Sequence, residues 1–444
     1  THMPHFLAVW ATAVLFVVAL AVDASPRHVS CSLASLAPNP ELKRLYTSAF
    51  RDFEDSAGRG GDTLSFESDI VLSLAAAGSV DLGEAMVTLR SIELQVNNAS
   101  IPLQTVLDTW QSEWSAAAAR AASDAATAEA AQHNLSAASA HLRAWAYGMA
   151  GERMANHLLP ASLAAFRESQ KHFVRALALL DSPCSPVSIP FEGGASLAGY
   201  WCKHISAEDT AARATILLMN GYDGTAEISM HEVAFAAMRH GYNVLVFEGP
   251  GQGSVARFQR LLFRPDWETV VSPVAEFAVS SLGAQADRLV LWGESFGGQL
   301  APAAFNKLPS LAALVANGGV VDFFQAIFCG LQPMLQDLYY SDRATFDRYM
   351  GFAASTRVDA NFLRTYGELG FNTTSFSALF DAFQAYYSPD LSGVGRRPVL
   401  VYDPALDTLV RNQSSLFFEA LPRPLAPSTA LVRLDPKAGG ALHC

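Results

Sequence analysis

The chain has 444 residues, half of them hydrophobic and only 16% charged, which supplies a large packed core and excludes a disordered chain. Its formal charge of -12, with no Lys/Arg cluster to neutralise phosphates, excludes a nucleic-acid-binding surface. Neither H-E-x-x-H nor C-x-x-C occurs, so no metal and no cofactor is expected, and histidines such as His231 and His240 read as surface or capping residues.

In chain order, Phe6 to Val22 is an apolar run, broken only by Thr12 and free of charge, ending before Asp23-Ala24. Residues 1–24 therefore read as a secretory signal peptide cut after Ala24, with a single membrane anchor as the alternative, since a run of 17 residues is close to the shortest span. The expected destination is the secretory pathway, with the protein secreted or held in a vesicle or vacuole and no membrane span left once the leader is removed. Four N-x-S/T sequons, at Asn98, Asn134, Asn372 and Asn412, fit that route as N-glycosylation acceptors. Five cysteines leave at least one unpaired.

Residues 25–183 carry almost no strand signal. They are alanine-rich, with apolar residues at helical spacing (Leu103, Val106, Leu107, Trp110, Trp114, then Leu135, Leu142, Trp145, Met149, then Leu163, Phe166, Phe173, Val174, Leu177), which predicts an N-terminal helical domain. From 184 to 321 strands alternate with helices. A hairpin of Val187–Phe191 and Ser196–Ile205 turns at Glu192-Gly193-Gly194, and a three-residue turn there carries Cys184 opposite Cys202, a register that permits a disulfide unless Pro183 and Pro186 end the ladder first. Thr215–Met219, Tyr242–Phe247, 288–292 and Leu311–Ala316 follow as near-continuous apolar strands, with helices 226–240 and 265–282 between them. That alternation means a mostly parallel, buried sheet, and the fold class is α/β.

Residues 322–392 break the rhythm with an aromatic-rich helical stretch (Phe323, Phe324, Phe328, Tyr339, Tyr340, Phe346, Tyr349, Phe352) that reads as a lid over the carboxyl ends of the strands. An ordinary packed helical layer is the alternative. Residues 393–444 return to the core with strands at Pro398–Tyr402 and Thr429–Leu434.

The chemistry is expected at Gly293-Glu294-Ser295-Phe296-Gly297, a G-x-S-x-G nucleophile elbow with an apolar strand before it and a helix after it. Such an elbow lifts Ser295 out of the sheet, and its triad runs Ser, then Asp or Glu, then His along the chain. After Ser295 the one histidine is His443, which follows the last strand. The acid belongs after the preceding strand, where Asp403 and Asp407 both stand; Asp407, several residues past the strand end, is the choice, and Asp403 stays open. The oxyanion hole takes two backbone N–H groups, from Phe296 after the nucleophile and from Tyr222 in the Asn220-Gly221-Tyr222-Asp223-Gly224 loop. Gly249-Pro-Gly-Gln-Gly253 lacks a P-loop lysine and the dinucleotide spacing, so it reads as a tight turn beside the site.

Taken together, Glu192-Gly-Gly, Leu197-Ala-Gly-Tyr200, Asn220-Gly-Tyr-Asp-Gly-Thr225, Gly249-Pro-Gly-Gln-Gly253, Gly293-Glu-Ser-Phe-Gly-Gly298, Asn317-Gly-Gly319 with Asp322, and His443-Cys444 resemble the α/β-hydrolase family of fungal polyketide-shortening hydrolases of pigment pathways and the bacterial 2,6-dihydropseudooxynicotine hydrolase. The resemblance covers about residues 90 to 444. It implies an α/β-hydrolase fold and a Ser-Asp-His hydrolase with its substrate cavity between helical domain and core. It also implies cleavage of a carbon–carbon bond next to a ketone, or of an ester, in a mid-sized apolar or aromatic metabolite. An acyltransferase or cyclase using the same acyl-enzyme, and a catalytically silent binding protein, are the alternatives. A secretory leader is not expected of a typical member, and members continue past the histidine with a C-terminal helix. The oligomeric state is not legible, and a homodimer is left open.

Overall fold

The computed structural model describes residues 26–31, 61–96, 100–204, 213–405, 407 and 409–435. The leader, Asn98 and the segment carrying His443 lie outside the described residues. No helix among the described residues is long and apolar enough to cross a membrane.

Five helices lead the chain: α1 (Gly61–Ala76), α2 (Leu82–Val96), α3 (Leu103–Ala130), α4 (Asn134–Arg153) and α5 (Pro160–Leu179). Small alanine faces let α3, α4 and α5 pack closely, and Trp110, Trp114, Trp145 and Tyr147 fill the space between them at 1% exposure or less. Trp110 donates its indole N–H to the Ala150 carbonyl at 2.8 Å, so the buried ring leaves no orphan donor. Leu135, assigned to the apolar face by its spacing, is instead 75% exposed, because it sits in the first turn of α4 where little packs against it.

The sheet has eight strands: β1 (Cys184–Pro190), β2 (Ser196–Cys202), β3 (Thr215–Met219), β4 (Asn243–Phe247), β5 (Leu289–Glu294), β6 (Ala313–Asn317), β7 (Val399–Pro404) and β8 (Ala430–Leu434). Their order is β1-β2-β4-β3-β5-β6-β7-β8, with β1 and β2 antiparallel and the rest parallel from β4 onward. Side chains alternate across each strand. Leu217, Leu245, Phe247 and Leu291 therefore enter one core, with α7 (Glu268–Ser280) and α8 (Gly297–Lys307). Ile216, Leu218, Val244 and Val246 enter the other, against the N-terminal helices and the helical segment 226–239, here α6. Both faces are covered, which is why these strands read as unbroken apolar runs. Cys184 lies opposite Cys202, and the two are joined by a disulfide.

Five short helices fill the interval between β6 and β7: α9 (Phe323–Phe328), α10 (Pro333–Ser341), α11 (Arg343–Thr356), α12 (Val358–Phe371) and α13 (Phe376–Phe383). Of their rings, Phe324, Phe328, Tyr339 and Phe346 pack into the main core, whereas Tyr349 and Phe352 are exposed. Residues 26–31 bind across this layer. Arg27 pairs with Asp322 at 2.7 Å, His28 stacks on Tyr340 at 3.9 Å, and Cys31 is disulfide-bonded to Cys329. Helix α14 (Gln413–Ala420) lies between β7 and β8.

Candidate active site

Strand β5 ends at Glu294 and α8 begins at Gly297, leaving Ser295 on the corner with φ of +57°, a left-handed conformation costly for a residue with a Cβ. The turn holds because Ser295 N–H donates to the Asn317 carbonyl at 3.0 Å and Gly298 N–H to the Ser295 carbonyl at 2.7 Å. The flanking glycines are there for space. A Cβ on Gly293 would lie 2.1 Å from the Gly297 carbonyl oxygen, and one on Gly297 2.7 Å from that of Asn220. Ser295 is half-buried, whereas Glu294 beside it is buried and accepts from the Ser229 hydroxyl at 2.9 Å.

The loop after β3 runs against this corner. A Cβ on Gly221 would lie 2.7 Å from Phe296 N and 2.8 Å from Ser295 Cβ, so Gly221 lets the backbone that precedes Tyr222 touch the elbow itself. Sequence reasoning named the loop but not what holds it. Gln252, in the Gly249–Gly253 turn, donates its amide to the Asn220 carbonyl at 2.6 Å and the Gly221 carbonyl at 3.2 Å. The Tyr222 hydroxyl donates to the Leu363 carbonyl of α12 at 3.1 Å. From the helical layer, Arg153 bonds Asp223. The turn itself is tied by Glu248, whose carboxylate accepts from the N–H groups of Ala226 and Ser254; burial beside Glu227 pushes its pKa up to about 7.

Aromatic rings crowd Phe296, the residue after Ser295. Phe296 stacks on Phe323 of α9 at 4.0 Å and meets Tyr386 at 4.9 Å and Phe263 at 5.1 Å. Tyr222, Phe371 and Phe383 continue the cluster, so the rings packed around Phe296 come largely from the inserted helices.

The two candidate acids sit in different surroundings. Asp403 lies within β7 opposite Arg433 of β8, and its carboxylate accepts from Arg433 Nε at 2.9 Å and from the Ser415 hydroxyl at 3.1 Å. Asp407 lies past the strand end, buried, with one oxygen accepting from the N–H groups of Leu409 and Val410 at 2.8 and 2.9 Å. His443 is outside the described residues. Among the sequons, Asn134 and Asn372 are exposed, whereas Asn412 is half-buried with Ser414 fully buried two residues on.

One histidine departs from its sequence reading. His231 is neither capping nor on the surface: its ring stacks on Trp145 at 4.7 Å, bonds Ser79 and the Glu227 carbonyl, and joins α6 to the helical layer. Among the described residues, no group of three or more His, Cys, Asp or Glu is placed to hold a metal ion.

The mostly parallel sheet, the left-handed serine between β5 and α8, and the loop pressed against it define an α/β-hydrolase by fold. Its likeness to solved structures agrees: 2,6-dihydroxy-pseudo-oxynicotine hydrolase superposes with a TM-score of 0.60 at 17% identity, over 82% of this chain and 88% of the other. In sequence the chain is similar to fungal hydrolases. It is 32% identical over 234 residues to hydrolase LUC6 of Fusarium sp, covering 51% of this chain and 55% of that one. It is 30% identical over 226 residues to the 20-hydroxy-prefusarin hydrolase FUS2 of Gibberella moniliformis, covering 49% and 54%. The chain thus spans about half the length of these curated relatives. No family model matches it.

Proposed function

We propose that the chain is a serine hydrolase acting on a mid-sized apolar or aromatic metabolite, with Ser295 as nucleophile, His443 as general base and Asp407 as the acid that orients it. The observation that carries this is the strained serine: a positive φ at the half-buried Ser295, with glycines on three sides giving the backbone room, is the conformation a nucleophile elbow requires. Asp407 is preferred over Asp403 because Asp403 is committed to Arg433.

In this reading Ser295 Oγ attacks a carbonyl carbon while His443 takes its proton. Charge gathers on the carbonyl oxygen, which the N–H groups of Tyr222 and Phe296 receive. Collapse breaks either the ester C–O bond or the C–C bond to a carbon beside a second ketone, where the departing electron pair is delocalised as an enolate and takes the proton back from His443. Water then hydrolyses the acyl-enzyme to a carboxylic acid. The apolar rings around Phe296 support an aromatic or polyketide-like substrate, in line with the named relative that acts on 20-hydroxy-prefusarin. Passage through an oxidising secretory compartment is part of the proposal, supported by the two disulfides.

Turnover of a 4-nitrophenyl ester and of an aryl β-diketone in 18O-water tests it. One 18O atom in the product acid is expected from solvent. Transfer of the acyl group to an alcohol, or unlabelled product, counts against hydrolysis.

A further inference from the structure

A buried arginine of the N-terminal helical layer reaches the loop that carries the Tyr222 N–H. Arg153, the last residue of α4, is 3% exposed, and its Nη1 donates to the Asp223 carbonyl at 3.2 Å while Nη2 donates to the Asp223 carboxylate at 2.5 Å. Asp223 is the residue after Tyr222, so the chain one residue beyond the proposed oxyanion donor is gripped from outside the sheet. The arginine is itself fixed: Glu67 of α1, 2% exposed at its side chain, takes Nη2 at 2.7 Å and Nε on its other oxygen. Two carboxyl groups and one guanidinium meet here, Glu67 and Arg153 almost fully buried and Asp223 with its side chain 24% exposed, and the guanidinium presents a rigid planar fork to both.

The other holds on the loop come from the core and the inserted helices. Gln252 takes the carbonyls of Asn220 and Gly221, and the Tyr222 ring is tied to Leu363. Without Arg153, Gln252 still holds the Gly221 carbonyl, which shares a peptide group with the Tyr222 N–H, but Asp223 loses its contacts to the helical layer and that peptide is left free to tilt about the one hold.

We infer that Arg153, seated by Glu67, is a positioning residue that fixes the Tyr222 N–H through Asp223, which makes the N-terminal helices part of the catalytic machinery rather than a cover over it. This rests on Ser295 and Tyr222 acting as proposed above. An oxyanion donor must lie where the charge develops, and a displacement of the order of an ångström is felt in the chemical step more than in substrate binding.

The test uses the full chain and four proteins: wild type, Arg153→Lys, Arg153→Met, and the double variant Glu67→Met with Arg153→Met. The double variant removes both buried charges together, so it regains stability that Arg153→Met loses by stranding Glu67, yet it still lacks the contact to Asp223. Readouts are kcat and KM on a 4-nitrophenyl ester, the inhibition constant of a trifluoromethyl ketone whose adduct places an oxyanion in the hole, and Tm. Arg153→Met and the double variant are expected to lose kcat about tenfold to hundredfold with KM within about twofold. The trifluoromethyl ketone should weaken in parallel, Arg153→Lys should recover part of the loss, and the double variant should melt above Arg153→Met. Wild-type kcat and inhibitor affinity in the double variant would overturn the positioning role while leaving Ser295 in place. A wild type that neither turns over ester nor reacts with a fluorophosphonate would overturn the hydrolase reading, and this role with it.

Discussion

Gly221→Ala tests how closely the loop and the elbow must fit. A Cβ built there lies 2.7 Å from Phe296 N, 2.8 Å from Ser295 Cβ and 2.9 Å from the Glu294 carbonyl oxygen, against ordinary contact from 3.4 Å outward. Two of these three atoms are backbone and the third is the Cβ of Ser295, so none can rotate away, and the loop must retreat by about half an ångström. The Tyr222 N–H retreats with it. A shift of that order is expected to lower kcat about a hundredfold, a loss of ~2.7 kcal/mol in transition-state stabilisation, with KM little changed. The steric clash itself should cost about 1–3 kcal/mol of folding stability. Gly351→Ala is the control. It lies exposed within α11 with nothing within 4 Å of the added methyl, and should keep wild-type kcat while gaining about 0.5–1 kcal/mol of stability. Ester kinetics and thermal unfolding of both variants decide the matter. Wild-type kcat in Gly221→Ala would refute the assignment of this loop to the oxyanion hole.

Asp407→Asn should lower kcat by about 10³–10⁴ with Tm nearly kept, whereas Asp403→Asn, which loosens Arg433, should lower Tm with a much smaller change in kcat; the reverse pattern would move the acid to Asp403. Burial holds the His231 pKa down to about 4, from an ordinary 6.5 in the unfolded chain. The neutral ring therefore stabilises fully above about pH 6.5, and that contribution is lost as pH falls toward 4, with an upper limit of ~1.4 kcal/mol per pH unit that residual solvent contact reduces. His231→Gln should flatten the dependence of Tm on pH between 6.5 and 4, and an unchanged slope would count against it. Arg257→Met strands Glu152, which lies 2.9 Å from the guanidinium and is held down to about 2 by it and by His157, so about 3–5 kcal/mol of stability should be lost in chemical unfolding. Retained stability there would mean that Glu152 takes up a proton instead.

The α/β architecture was legible because both faces of the sheet are covered. Thr215–Met219 is wholly buried and reads as one apolar run, and the elbow announces itself by glycines that sterics require at Gly293 and Gly297. Helix ends were less legible: α7 starts at Glu268 rather than 265, since Pro265 and Asp266 hold a turn before it. What sequence could not supply was the set of long-range polar contacts. Arg153 to Asp223 spans 70 residues and Arg257 to Glu152 spans 105, and nothing local to an alanine-rich helix marks its last two residues as anchors for a loop of the core. His231 was misjudged for the same reason, because its partners Trp145 and Ser79 lie far away in the chain. The aromatic stretch between β6 and β7 divides along physical lines: most of its rings form a packed layer, and Phe323 is the one among those singled out that reaches Phe296.

The most direct measurement is the mass of the full chain after reaction with a fluorophosphonate, followed by mapping of the modified peptide. A single adduct on Ser295 in the wild type and none in Ser295→Ala is expected. An unmodified wild type, or an adduct that persists in Ser295→Ala, would contradict a nucleophile at the corner between β5 and α8.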